Sequence, residues 1–176
     1  FAYASAGLMT GYAYAAGTFE ALLYGAGSIT AGSLTIYNSF TANAASDLTP
    51  AAAGLQAGAY DLGLNVSIAQ AKTIAKAYIG GSGVVTVTGA VTVSSIGTAT
   101  ADAVVRGAAI SVSGVKVALN SSAATVSATQ DAYITGVSLG AASVDVNTTL
   151  NDGESVGAVA TVGSNGAKPG VSFAFI

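Results

Sequence analysis

Val84-Val85-Thr86-Val87-Thr88-Gly89-Ala90-Val91-Thr92-Val93-Ser94 alternates apolar and hydroxyl side chains on both sides of one glycine. Successive strand residues point to opposite faces, so a period of two built from Val and Thr marks a strand with one buried face. The same alternation returns in Ile110-Ser111-Val112-Ser113, in Val115-Lys116-Val117 and in Leu62-Gly63-Leu64-Asn65-Val66-Ser67-Ile68. Gly80, Gly81, Gly83, Gly89, Gly97, Gly107 and Gly114 punctuate these runs and permit corners. Pro50 and Pro169 are the two residues without a backbone N–H, so pairing can run almost uninterrupted. One segment competes. Residues 69–77, Ala-Gln-Ala-Lys-Thr-Ile-Ala-Lys-Ala, have good helix propensity. Their equivalent one repeat later, residues 124–132, carries Thr125, Val126, Ser127 and Thr129 and is a poor helix, so strand is expected for both.

The equivalence comes from three markers that recur in the same order. Tyr beside a glycine-rich turn appears at Tyr24, Tyr78 and Tyr133, with spacings of 54 and 55. The β-branched runs that start at Leu34, Val91 and Val144 are 57 and 53 apart. Asp61-Leu62-Gly63-Leu64-Asn65 matches Lys116-Val117-Ala118-Leu119-Asn120 at an offset of 55, and residues 114–119 match residues 170–175 at 56. These offsets predict a unit of about 55 residues, repeated about three times. The array divides into a partial unit 1–27, full units 28–81 and 82–136, and a partial unit 137–176. Tyr24, Tyr78 and Tyr133, with Gly81 and Gly136, are expected at one corner in successive units. The fold expected is all-β: a right-handed parallel β-solenoid, with a β-sandwich repeat array second and a membrane β-barrel third. Three short coils per unit and one or two wide ones fit the spacing equally well.

Composition narrows the chemistry. The 176 residues include 38 Ala and 23 Gly but no Cys, His or Trp. No thiolate or imidazole metal site and no Ser-His or Cys-His dyad can form. Five cations and a net charge of −3 leave no nucleic-acid footprint. High hydrophobicity with 7% charged residues is the reverse of a disordered chain. The absence of Cys neither requires nor excludes an oxidising compartment. Residues 77–101 are uncharged, but they alternate and are rich in Gly, Ser and Thr, unlike a spanning helix. The chain opens on Phe1 rather than Met, and no cation precedes Lys72. The expectation is a fragment of a longer chain or a stacking subunit, with no visible signal peptide.

The unit Tyr78-Ile79-Gly80-Gly81, Val84–Ser94, Thr98-Ala99-Thr100-Ala101-Asp102-Ala103-Val104 and Val115–Asn120 resembles the repeats of very large bacterial surface proteins. These are the leukotoxin-like filamentous adhesins and the haemagglutinin-type autotransporter passengers. The resemblance is best over residues 60–150. It implies an extracellular β-helical stalk or filament at the bacterial surface, used in adhesion, with no catalytic residues in its repeats. Host or surface glycans are possible partners under that reading, and a self-assembling filament subunit or a carbohydrate- or ice-binding module are its rivals.

Other residue groups carry weaker signals. Asp145, Asp152 and Glu154, with Asn147 and Asn151, offer hard oxygens to Ca²⁺ but match no calcium loop and read equally as a polar turn. The same acids lack any sign of a glycosidase cleft, and no enzyme and no cofactor are expected. Asn65, Asn120 and Asn147 stand in glycosylation sequons. Thr86, Thr88, Thr92, Thr98 and Thr100 suggest a threonine ladder, broken at the phase of Asp145. Tyr3, Tyr12, Tyr14, Phe19, Tyr24, Tyr37 and Phe40 are either core or a contact between fibres. Apolar ends with little charge point to self-assembly through Phe1, Tyr3, Phe173, Phe175 and Ile176.

Overall fold

The computed structural model describes residues 4–49, 60–111, 115–150, 157–166 and 171–175. Phe1, Tyr3, Asp152, Glu154 and Ile176 lie outside the described residues. Among the described residues eleven strands follow in chain order: β1 (Ala4–Gly25), β2 (Ser28–Ala31), β3 (Leu34–Leu48), β4 (Tyr60–Gly81), β5 (Val84–Val87), β6 (Ala90–Ser111), β7 (Val115–Ile134), β8 (Ser138–Gly140), β9 (Ser143–Leu150), β10 (Gly157–Gly166) and β11 (Val171–Phe175). No helix occurs among the described residues, and residues 69–77 lie inside β4.

Three parallel sheets result. Sheet A stacks β1, β4, β7 and β11; sheet B stacks β2, β5 and β8; sheet C stacks β3 and β6, with β9 and β10 side by side on the far edge of β6. Every strand pair is parallel and joins a residue to its equivalent one unit later, as in Ala4↔Tyr60↔Val115 and Leu34↔Val91↔Val144. This is a parallel β-solenoid. The pairing is the opposite of the antiparallel ladders of a β-sandwich or an outer-membrane barrel. One unit makes one coil: a long strand, a strand of three or four residues at the corner, and a second long strand. The 22 residues of β1 span about 70 Å at ~3.3 Å per residue, so each coil is wide and flat.

Alternation decides what fills the coil. Odd residues of β4 from Ser67 to Ile79 point inward, as do even residues of β3 from Asn38 to Ser46. Where sheets A and C face each other directly the core is almost pure alanine: Ala69, Ala71 and Ala75 against Ala42, Ala44, Ala99, Ala101 and Ala103. Where sheet B opens the corner into a triangle the side chains grow to Ile79, Val85, Val87, Val91 and Val93. Side-chain volume thus tracks the gap to be filled, as close packing requires.

Two buried polar layers interrupt the apolar core. The Asn38 side-chain amide donates to the carbonyl of Phe19 at 2.8 Å and of Lys76 at 3.2 Å, tying β3 to two strands of sheet A. Gln130 Nε2 donates to Ser95 Oγ at 3.2 Å in the same layer, and Asn38 and Ser95 are register partners. Farther along, the Ser67 hydroxyl lies 2.8 Å from the Ser46 hydroxyl and 2.9 Å from its carbonyl. Asn38→Leu should lower stability by about 1–3 kcal/mol in urea unfolding, because it strips donors from two carbonyls inside the coil. An unchanged midpoint would show that water reaches those carbonyls.

The corner after sheet A is a glycine column. Gly25 pairs with Gly81, and both Gly81 and Gly136 have positive φ, 112° and 74°. A Cβ on Gly81 would collide with the carbonyl of Gly25, and one on Gly136 with the carbonyl of Gly81. The ladder continues through the turn, with Ser82 N–H donating to Gly25 O at 3.0 Å and Thr135 N–H to Ile79 O at 2.9 Å.

The expected superposition of three tyrosines holds for two. Tyr78 and Tyr133 are register partners with rings 4.9 Å apart and 7° from parallel. Tyr24 instead pairs with Gly80, while Leu22 takes the place opposite Tyr78. The true offset from β1 to β4 is 56 rather than 54, and glycine at 80 provides the bare surface that the Tyr24 ring covers. A second correction concerns β11. Phe173 pairs with Leu119 and Phe175 with Ser121, an offset of 54 where the motif match gave 56. Both slips are of two residues, an even number, which on β1 leaves the alternation of faces unchanged.

Candidate functional site

The described residues present long flat faces rather than a cleft. One hollow among the described residues measures about 230 Å³ and lies against the glycine corner. Tyr24 is the one titratable residue among those lining it, beside Leu23, Ile29, Ile79 and Val85. Such a lining can offer shape and one phenol hydroxyl, but no acid–base pair.

The sequence candidates separate in space. Asp145 stands exposed on β9 and pairs with Thr92. Among the described residues no group of three His, Cys, Asp or Glu is placed to hold a metal ion. Asn65 donates through Nδ2 to Asn120 Oδ1 at 2.9 Å, one coil away, and Asn120 is fully buried. That asparagine ladder leaves Asn120 inaccessible in the folded coil. Asn147 is exposed and accepts a hydrogen bond from Ser94 Oγ at 2.5 Å. The five threonines do not form one ladder: Thr86 faces outward on sheet B, while Thr92, Thr98 and Thr100 belong to sheet C. Of the early aromatics, Phe40 is core and stacks on Phe19 at 5.5 Å, whereas Tyr12, Tyr14, Tyr24 and Tyr37 are exposed.

The outer faces of sheets A and C differ in chemistry. Sheet C shows Thr35, Tyr37, Ser39, Thr41 and Asn43 on β3 beside Thr92, Ile96, Thr98 and Thr100 on β6, with Thr100 Oγ1 donating to Asn43 Oδ1 at 3.2 Å. Arg106 and Asp47 close one end of this face with a 2.6 Å ion pair. Both side chains are more than half exposed, so the pair adds little stability. Sheet A shows Leu8, Tyr12, Tyr14, Leu22 and Tyr24 on β1, then Leu62, Leu64, Val66, Ile68 and Ile74 on β4. Glu20, Lys76 and Asp131 align on this face across three coils, one sign alternating with the other. Parallel strands lie about 4.8 Å apart, so each charge has an opposite neighbour in register.

Neither of these faces was legible from motifs. Alternation predicts that a strand has an outer face, but the coil path decides which outer residues become neighbours. The in-register charges at 20, 76 and 131 are the signal that sequence reading passed over. Comparison with protein-family models, with curated proteins and with solved structures found no match.

Proposed function

We propose that this chain is a non-catalytic structural repeat protein, a segment of an extracellular stalk or filament at the bacterial surface that serves adhesion. The observation that supports the reading is the register itself. All three sheets and the glycine corner pass from coil to coil with each residue on its equivalent. Such a body lengthens by adding coils and contains one-dimensional, nearest-neighbour packing, the architecture of a rod. A right-handed coil sense fits, since parallel strand crossovers are right-handed in the great majority of cases. The adhesin resemblance rests on the residues that carry it, and the hydroxyl- and amide-rich face of sheet C suits contact with hydrated glycans.

A second form of the reading is a subunit that stacks end to end with copies of itself. Among the described residues β1 is an edge strand of sheet A, and an edge of that length can template a further strand. In either form the protein stands outside the cell. Antibody raised against the folded chain should therefore label intact cells of the native source, and brief protease treatment of those cells should abolish the label. Labelling seen only after lysis would overturn the surface assignment.

A further inference from the structure

We propose that sheet A is a lateral pairing face, and that its occupant is the same face of a second copy, related by a two-fold axis parallel to the solenoid axis. In that arrangement the two solenoids point the same way, their strands run antiparallel across the interface, and each coil meets its own counterpart.

Three observations carry this. The first is the contrast between the two outer faces of one coil. Leu8 is 65% exposed, Tyr12 63%, Tyr14 53% and Leu62 51%, all on sheet A. The equivalent stretch of sheet C is built from Thr41, Asn43, Thr98 and Thr100. The apolar patch is confined to β1 and β4, since β7 presents Ser121, Thr125, Ser127 and Thr129 at the same phase, and a contiguous patch of this kind marks a contact surface.

The second is self-complementarity. On β4 apolar side chains dominate both ends of the outer face, Leu64, Val66 and Ile68 at one and Ile74 and Tyr78 at the other with Lys76 between them, while Gln70 and Lys72 hold the middle; on β1 the middle is Tyr12, Tyr14 and Ala16. An axis at the midpoint of the strands sets Leu8 against Leu22 of the second copy, Leu64 against Tyr78 and Ile68 against Ile74. Lys76 keeps its opposite charges within its own sheet, flanked by Glu20 and Asp131 in register. The anchors are also held in place. Tyr12 donates through its hydroxyl to Gln70 Oε1 at 3.0 Å, and the Tyr12 and Tyr14 rings lie 6.3 Å apart and 19° from parallel. Rigid tyrosines lose little entropy on binding and are frequent interface hot spots.

The third is area. The 22-residue strands β1 and β4 give an apolar-rich face of about 70 by ~10 Å. Two such faces bury roughly 1,400 Å², inside the ~1,200–2,000 Å² range of stable specific interfaces.

The geometry also makes a demand that simple stickiness would not. Lys72 lies next to the axis, so two Lys72 side chains approach each other across the pair. Lys72→Gln should therefore tighten association and reduce its salt dependence, while Leu8→Lys with Leu64→Lys should weaken it about 30-fold or more. Thr98→Lys on sheet C should leave it unchanged. Sedimentation equilibrium of the Cys-free 176-residue chain measures all three, with circular dichroism confirming that each variant stays β.

Cross-linking separates lateral pairing from end-to-end stacking. In an equimolar mixture of Leu8→Cys and Leu22→Cys chains, a short bismaleimide should join unlike copies, whereas Leu8→Cys alone should give no cross-link. A chain that stays monomeric at ~100 µM would overturn the proposal. So would a Lys72→Gln variant that associates no better, or cross-linking of Leu8→Cys chains to one another. None of these outcomes bears on whether the protein is displayed at the cell surface.

Discussion

Replacing Gly81 by valine should unfold this protein at temperatures where the parent chain is native, with a loss of about 4 kcal/mol or more. Two costs combine. A β-branched residue at φ 112° is a strained outlier, worth about 1–3 kcal/mol. The added Cβ would also collide with the backbone carbonyl of Gly25 in the coil before, and backbone cannot rotate away as a side chain can. Forcing the coils apart there breaks the Ser82-to-Gly25 hydrogen bond that carries the ladder around the corner. Gly25 supplies the control. It belongs to the same column, yet a Cβ there meets nothing within 4 Å and its φ is not positive. Gly25→Ala should shift the urea midpoint by less than ~0.5 kcal/mol equivalent. Equal effects at 25 and 81 would refute the column as drawn.

Gly97→Leu should be nearly as damaging, costing ~3 kcal/mol or more by overpacking. Gly97 is the register partner of Phe40, and a Cβ on it would fall within the Phe40 ring. Phe40 is the one large side chain among the buried alanines of the flat region, and it fits because the next coil carries no side chain at that phase. Phe40→Ala alone should cost about 3–5 kcal/mol through the cavity it leaves. The two changes together should cost less than their sum, by at least ~2 kcal/mol, since leucine at 97 fills the space vacated at 40. Strict additivity in urea unfolding would mean that the two positions do not share a space.

The packing behind these predictions also explains how far sequence reading reached. The strand class, the absence of helix at residues 69–77 and the approximate repeat were legible. Their signals are local: a period of two in Val and Thr, and markers recurring every 53 to 57 residues. Register was not legible to better than two residues. The tyrosine markers align Tyr24 with Tyr78, whereas the backbone aligns Tyr24 with Gly80. A ring reaches across two strand positions, so similar aromatic placement can arise from different pairings. The number of coils per unit was likewise hidden, because alternation shows that a segment is extended but not where it turns back.

Alanine hides its face most completely. Ala69, Ala71 and Ala75 are core, while Ala16 and Ala45 stand outside. A methyl group is indifferent enough to water that sequence alone does not assign it. Buried Asn38, Thr73 and Ser95 break the apolar rule inside the coil, and exposed Leu8, Leu22 and Leu62 break it outside. What the sequence by itself determined is the backbone state, the repeat length and the exclusion of thiol and imidazole chemistry, since each follows from residue identity and local spacing. What only the tertiary structure decided is which residues meet: the glycine column, Phe40 over Gly97, the Asn65–Asn120 ladder, and the apolar face of sheet A. Those contacts join residues about 55 positions apart, and at that separation the pairing is set by the path of the whole coil rather than by any local preference of the chain.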